Sequence, residues 1–451
     1  MEERKYYPLT REQQGLVTLE AFLPPCQMLH LPARLDFESE VDECMLLEAI
    51  RLTGKRLPYC RIRIHEDEEG NAFQYISELE PDPVEVLGLQ DRTQKEVEEL
   101  IRSWRPELFP NGNRDVQLYR FKLLRLAEGK YTLYFVAHHF IMDAYAVMFT
   151  IRYLDRVYSA LRNKTELPPE GIEPWKLIED ENAYYNSRHH DADGAWWRDV
   201  YATEPVFTSI NGKGSPEFVE GKAYGRMQNP EQFGADVFYL RIPAELVKAV
   251  ENAAKEAHIS PQNYYFLSLR SYLGRVSGTE DVIVGTPIAL RSTLARKQSG
   301  LSVAIMSPVR SIVPESKKAS EALQELAVLQ QDVYRHARYV GSENIAGELH
   351  DTPMGMGYLT TWLTYQPFFD MENSDLKFVA RTLSSGLVPV PLYVLVQPHD
   401  ASGDLWASYV HAVGYTKPES CERYHAFMLK FLEKCAADPE KTVGQLIDEC
   451  L

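Results

Sequence analysis

The sequence predicts an α/β protein folded as two lobes. Helix-period and strand-period segments are mixed along the whole chain, with no repeat and no low-complexity tract. At 451 residues, 45% of them hydrophobic, the chain is longer than one core usually serves; single cores stop growing at roughly 250–300 residues. A third observation points to where chemistry would sit. In "YFVAHHFIMDAYA" (134–146) an apolar strand-like run ends in two histidines, and an aspartate follows four residues after the second.

Taken in order, the segments fit this reading. "YTLYFVAHH" reads as a strand, and from Asp143 onward Val147, Ile151, Leu154 and Leu161 recur at helical spacing with Met148 beside them. The stretch "NKTELPPEGIEPWKL" (163–177) ends that helix in prolines and polar residues and is the most plausible seam, giving lobes at 1–175 and 176–451. "EDENAYYNSRHHDADGAWWRDVY" (179–201) reads as one helical run, and "TSINGKGSPEFVEGKAYG" (208–225) as a loop. "VFYLRIP" alternates like a strand and "AELVKAVENAAKEAH" has a helical period. "SPQNYYFLSLRSYLGRVSG" starts a second helix with Ser260 as N-cap and Pro261 at its first position, and "DVIVGTP" is a buried strand.

Composition excludes several functions. With 65 acidic against 48 basic residues, a net charge of −17 offers no broad basic face for a nucleic acid. The N-terminus "MEERKYYPLT" has no apolar signal core, and the longest apolar stretch, "LVPVPLYVLV" (387–396), contains two prolines and is about half the ~20 residues a membrane span needs. The expectation is a soluble, cytoplasmic protein with no membrane partner. The six cysteines show no C-x-x-C spacing, so buried free thiols are expected rather than disulfides or a zinc site.

Adjacent side chains on a strand point to opposite faces, so His138 and His139 are not placed to share a metal ion, and no metal is expected. One histidine packs inward while the other faces the strand end. An imidazole with a pKa near 6.5 is mostly neutral at pH 7 and suits general-base work. The bland alternatives are a satisfied core histidine and, for Asp143, a plain N-cap. The other pair, His189 and His190, sits among polar residues and reads as a solvated helix end.

The string "HHFIMDA" resembles the H-H-x-x-x-D-G signature of the condensation domains of nonribosomal peptide synthetases, a branch of the chloramphenicol-acetyltransferase-like acyltransferases. Further segments follow in family order: "LTREQQGL" (9–16), "RLPYCR" (56–61), which keeps Arg56 and Arg61 but loses the family's histidine, "AWWRDVY", and "YYFLSLRSYLGRVSGTEDVIVGTPIALR" (264–291). The resemblance covers essentially the whole chain. Three departures stand out: Ala144 replaces the glycine after the aspartate, "SGLSVAIMSPVR" (299–310) lacks the usual asparagine, and "TWLTYQP" (361–367) ends in Pro367 where an asparagine often follows.

The resemblance implies two chloramphenicol-acetyltransferase-like lobes in a V-shaped pseudo-dimer with a central tunnel. It implies His139 as the catalytic residue, deprotonating or orienting the nucleophile, with His138 in support. Asp143 would be structural and pair with an arginine, Arg291 first and Arg61 second. The implied reaction joins an acyl or aminoacyl thioester on a phosphopantetheine carrier to an amine or alcohol, so no cofactor is bound. The thioester, carrier-linked or acyl-CoA, is a substrate, and an acyl- or peptidyl-carrier protein is the expected partner. "RNK" (162–164) and "RSTLARK" (291–297) are candidate basic patches for docking it. Two other readings stay open: a coenzyme A-dependent acyltransferase of the same fold, and a non-catalytic platform recruiting synthetase components. The intact "HHFIMD" argues against the platform. No adenylation-like or carrier segment follows "TVGQLIDECL", so the enzyme is expected to be free-standing and to act on thioesters made elsewhere.

Overall fold

The computed structural model describes residues 4–22, 26–109, 115–213, 234–340, 358–366, 375–398 and 402–451. The chain forms two compact units. The first contains residues 1–187 together with two later segments, 289–304 and 369–386; the second contains 188–288, 305–368 and 387–451.

The first unit is built on a five-stranded sheet of order β12-β2-β7-β6-β5, from β2 (His30–Phe37), β5 (Glu85–Gly88), β6 (Tyr119–Arg125), β7 (Tyr131–His138) and β12 (Phe378–Thr382). Strand β7 is central because its alternate residues are apolar on both faces. Leu133, Phe135 and Ala137 are fully buried on one, and Tyr134, Val136 and His138 are buried on the other. Its residues pair antiparallel with β2 and β6, with His30 opposite His138. Strand β12 comes from the late segment 369–386 and pairs antiparallel with β2, Phe378 opposite Phe37. A smaller sheet joins β1 (Tyr7–Pro8), β4 (Ala72–Ile76) and β3 (Ile62–Glu66).

Three helices position the histidine loop. Helix α1 (Arg11–Phe22) opens with a reciprocal cap: the Gln13 N–H donates to Thr10 Oγ1 (3.2 Å) and the Thr10 N–H to Gln13 Oε1 (2.9 Å). Helix α2 (Glu43–Arg56) is capped by Asp42 and packs on α4 (Ala144–Asn163), whose buried stripe contains Val147, Ile151, Leu154 and Val157. Helix α4 ends at Lys164, which adopts the left-handed conformation that closes helices. The late segment 289–304 contributes Leu301 and Val303 to the same core.

The second unit carries a six-stranded sheet of order β10-β9-β11-β13-β14-β8. Its strands are β8 (Ala235–Ile242), β9 (Asp281–Ile288), β10 (Ile305–Ile312), β11 (Thr361–Tyr365), β13 (Leu392–Pro398) and β14 (Leu405–Ala412). Strand β11 runs parallel to both neighbours and the other pairs are antiparallel. The helix pair expected before the core strand is α7 (Ala244–Glu256) and α8 (Gln262–Ser277). Pro261 rather than Ser260 occupies the cap position of α8, although Ser260 Oγ accepts from the Gln262 N–H at 3.3 Å.

The run 179–201 is not one helix. It breaks after Tyr185 into α5 (Trp175–Tyr185) and α6 (Arg188–Val200), because the Asn186 N–H closes the first helix on Asn182 and Tyr184 carbonyls. His189 is exposed, but His190 is not a solvated end: its ring lies 4.8 Å from Tyr339 of α10 (Ala319–Val340), so α6 has an apolar neighbour that local sequence does not reveal. Of the cysteines, Cys60, Cys421, Cys435 and Cys450 are buried, Cys26 is partly buried, and Cys44 is exposed at the start of α2, contrary to expectation. From residue 214 the expected loop 208–225 lies outside the described residues, as does Pro367. Among the described residues no helix is long and apolar enough to cross a membrane.

Gly300, in the late segment, lies directly against the ring of Tyr59 in the first unit's core. Its φ is +62°, and a Cβ there would overlap the ring of Tyr59. Tyr59 is fully buried and its hydroxyl is 2.8 Å from Thr150 Oγ1 of α4, so the ring has nowhere to retreat. Gly300→Ala is therefore expected to destabilise the protein by at least ~2 kcal/mol through combined overpacking and backbone strain. A lowered urea midpoint with an unchanged m-value would show it, and an unchanged midpoint would refute it.

Candidate active site

The site grows from the end of β7. The ladder with β2 continues one residue past the strand, since the His139 N–H donates to the Leu29 carbonyl at 2.7 Å. The chain then turns through 139–142 and enters α4 at Asp143. Phe140, Ile141 and Met142 are completely buried, so the turn is held from inside by apolar packing.

His138 points into the first unit and is 4% exposed. Its Nδ1 accepts the Phe140 N–H at 3.1 Å, which fixes the proton of the neutral ring on Nε2, 2.8 Å from Glu20 Oε1. The rings of His30, Phe109 and Phe140 surround it. His139 goes the other way: it is partly exposed and its Nδ1 lies 3.1 Å from Ser302 Oγ. Burial lowers its pKa, with the Asp143 charge opposing, so the ring is neutral at pH 7. In the tautomer that donates Nδ1–H to Ser302, Nε2 keeps a lone pair that can accept a proton.

Asp143 is both an N-cap and an ion-pair partner. Its Oδ1 accepts from the Ala146 N–H (2.8 Å), while Oδ2 accepts from Arg291 Nη2 (2.7 Å) and from the Val303 and Ala304 N–H groups (3.0 and 2.9 Å). Arg291 also donates to the carbonyls of Arg296 and Leu301 and to Ser299 Oγ. The carboxylate thus ties the histidine loop to the late segment through both side chain and backbone. Arg61, the second candidate, lies elsewhere and pairs with Glu78 at 3.3 Å. Ala144 is the exposed first residue of α4 and is not among the residues with positive φ, so glycine is not required there.

Three participants were not singled out from sequence. Gln13, inside the quoted "LTREQQGL", donates Nε2 to the Phe140 carbonyl (3.2 Å) and exchanges amide hydrogen bonds with Gln74. Glu20 lies seven residues further along α1 and reaches His138, so both polar residues use one helix face; that spacing was the available signal. Ser302 had no local signal, being distant in sequence from His139. Of the two basic patches, "RSTLARK" keeps Lys297 exposed, but Arg291 and Arg296 are each 7% exposed and are committed to Asp143 and Asp180. Residues 162–164 are exposed. Among the described residues no group of three histidine, cysteine, aspartate or glutamate side chains could hold a metal ion.

A neutral imidazole at a strand end has what general-base chemistry requires, and comparison with known proteins gives the class. Residues 3–391 match the family model described as "Condensation domain", and the chain belongs to that family. It is 25% identical over 452 residues to surfactin synthase subunit 1 of Bacillus subtilis (strain 168), covering 98% of this chain and 12% of that protein. It is 22% identical over 453 residues to a dimodular nonribosomal peptide synthase of the same organism, covering 98% and 18%. The chain therefore spans less than a fifth of either relative's length. Among solved structures, the first condensation domain of the calcium-dependent antibiotic synthetase, in complex with a substrate analogue, superposes with a TM-score of 0.82 at 19% identity, covering 98% of this chain and 99% of that one. A mutant starter condensation domain of rhizomide synthetase, in complex with C8-CoA, gives 0.80 at 21% identity, covering 98% and 97%.

Two measurements follow from the geometry. Asp143→Asn and Arg291→Ala should each cost about 3–5 kcal/mol, because each leaves a buried polar group uncompensated. The double variant should cost at least ~1 kcal/mol less than the sum, and additive losses in denaturant titrations would disprove the coupling. The second concerns His30, whose pKa is pushed down to about 3, chiefly by burial, with the Arg120 charge adding to the effect. Below about pH 6.5 the unfolded chain gains a proton that the folded protein refuses, so wild-type stability should fall by up to about 1.4 kcal/mol per pH unit from this group. His30→Gln should flatten that slope between pH 6 and 5; an unchanged slope would show that His30 is not the group responsible.

Proposed function

We propose that this chain joins a phosphopantetheine carrier-bound acyl or aminoacyl thioester to an amine, forming an amide, or to an alcohol, forming an ester, in nonribosomal peptide or related natural-product biosynthesis. The observation that carries the reading is the partly exposed, neutral His139, set on Ser302 and backed by the Asp143–Arg291 tie. In this mechanism His139 holds the nucleophile by hydrogen bonding from its proton to Nε2, and alignment supplies much of the rate. As the nucleophile's nitrogen or oxygen bonds to the thioester carbon, its proton passes to Nε2. The tetrahedral intermediate then expels the thiolate, which recovers that proton. His138, fixed by Glu20 and the Phe140 amide, keeps the strand end in place, and Asp143 and Arg291 act as positioning residues.

The relatives' names, a surfactin synthase subunit and a nonribosomal peptide synthase, support the peptide-synthesis setting; in this reading the donor is carrier-linked and a carrier protein in the cytoplasm is the partner. The solved starter condensation domain in complex with C8-CoA makes coenzyme A the second donor to test.

Intact-mass analysis of an acyl-loaded carrier protein and of acyl-CoA, each incubated with candidate amines and alcohols, separates these readings. Acyl loss from the carrier with matching product is the expected result. His139→Ala should lower that rate at least ~100-fold while moving the thermal midpoint little. Near-normal turnover in His139→Ala would overturn the mechanism, and a wild-type protein inert toward both donors would favour the platform reading.

A further inference from the structure

The Asp143 carboxylate makes no hydrogen bond to His139: its four bonds come from Ala146, Arg291, Val303 and Ala304. Among the described residues, the one side chain bonded to the His139 ring is Ser302, whose Oγ lies 3.1 Å from Nδ1. Ser302 is 1% exposed, and its hydroxyl has no other hydrogen-bond partner among the described residues. The ion pair holds the backbone on both sides of it. The Leu301 carbonyl accepts from Arg291 Nη2 at 2.7 Å, and the Val303 N–H donates to Asp143 Oδ2 at 3.0 Å. The hydroxyl therefore meets Nδ1 from a fixed stretch of chain inside the first unit.

Resting on the acyl-transfer reading above, we propose that Ser302 is a positioning residue for the reaction: its hydroxyl accepts a hydrogen bond from Nδ1–H of His139 and stabilises the imidazolium that forms when Nε2 takes the nucleophile's proton. Toward a neutral imidazole a hydroxyl can donate or accept. Both nitrogens of the imidazolium carry protons, so toward that state it can only accept. The bond then becomes charge-assisted, and such bonds are roughly twice as strong as neutral ones. An interaction that strengthens as the proton arrives lowers the barrier, which one of constant strength does not. The Nδ1 proton stays on the ring throughout, while the Nε2 proton comes from the nucleophile and leaves with the thiolate. Burial opposes the charge on His139 and the Asp143 carboxylate favours it. Ser302 supplies by contact what Asp143 supplies across space, in the place of the third group that orients a base. The ion pair reaches the chemistry through this serine.

The test reads the His139 ring directly, by nitrogen NMR of the histidine-labelled full chain, with the His139 signal assigned from its loss in His139→Gln. Wild type should show the neutral ring protonated on Nδ1, a readout that needs no Ser302 variant. Ser302→Ala should lower the His139 pKa by about half to one pH unit, because accepting a hydrogen bond from the charged form raises it. In the acyl-transfer assay its kcat should fall roughly five- to ten-fold with KM little changed, and the acid limb of the pH profile should move down with the ring. Ser302→Cys, close to serine in shape but a weak acceptor, should resemble Ser302→Ala in both readouts, whereas a packing role alone would let it resemble wild type. A wild-type ring protonated on Nε2, or a His139 titration that Ser302→Ala and Ser302→Cys leave in place, would overturn the proposal. A titration that moves in a protein transferring no acyl group would leave Ser302 as the partner of the imidazole and remove the acyl-transfer reading instead.

Discussion

The structure around the histidine pair depends on one carboxylate. Asp143 is 1% exposed and accepts four hydrogen bonds, one from the first turn of its own helix and three from a segment 148 to 161 residues away. A buried charge is tolerated only when it is paired and hydrogen-bonded, and here the same donors that satisfy it also define the local fold. The cap starts α4 where the histidine turn ends. The Val303 and Ala304 amides bring Ser302 to His139, and the Arg291 Nη1 and Nη2 groups make three further bonds that fold its own segment over Tyr59. Loss of Asp143 would therefore be felt at the start of a helix, in a remote loop and at an imidazole at once.

The division of labour between the histidines follows from the same construction. His138 lies on a strand face already filled with aromatic rings, and a carboxylate and a backbone amide fix both of its nitrogens. His139 lies one residue past the strand, where the ladder is still bonded but the ring meets a hydroxyl from another part of the chain. Two neighbouring residues of one type thus acquire different environments through strand geometry alone.

Much of this was legible in the sequence where the signal is local. The strand-to-helix passage at 138–144, the helix pair before "DVIVGTP" and the opposite directions of His138 and His139 all follow from periodicity over a few residues. Arg291 as the partner of Asp143 came from the family pattern and not from spacing. What could not be read depends on contacts between distant segments: Ser302 under His139, Glu20 behind His138, and Tyr339 against His190. The break at Asn186 was hidden because the residues on both sides have good helical periods, and a cap can form wherever a carbonyl is left open.

The first unit's discontinuity has a bearing on how the chain is made and divided. Residues 289–304 and 369–386 belong to the unit that the first 187 residues begin, supplying the donors for Asp143 and the strand that covers the edge of β2. During synthesis those 187 residues emerge with a buried carboxylate lacking its arginine and a sheet lacking its outer strand, so the unit reaches its final form only after residue 386 has been made. A fragment cut at residue 187 would carry an open strand edge, which templates aggregation, and a helix start without its tie. Anyone dividing this protein for expression or domain exchange would do better to treat the two late segments as part of the N-terminal piece than to follow the order of the sequence.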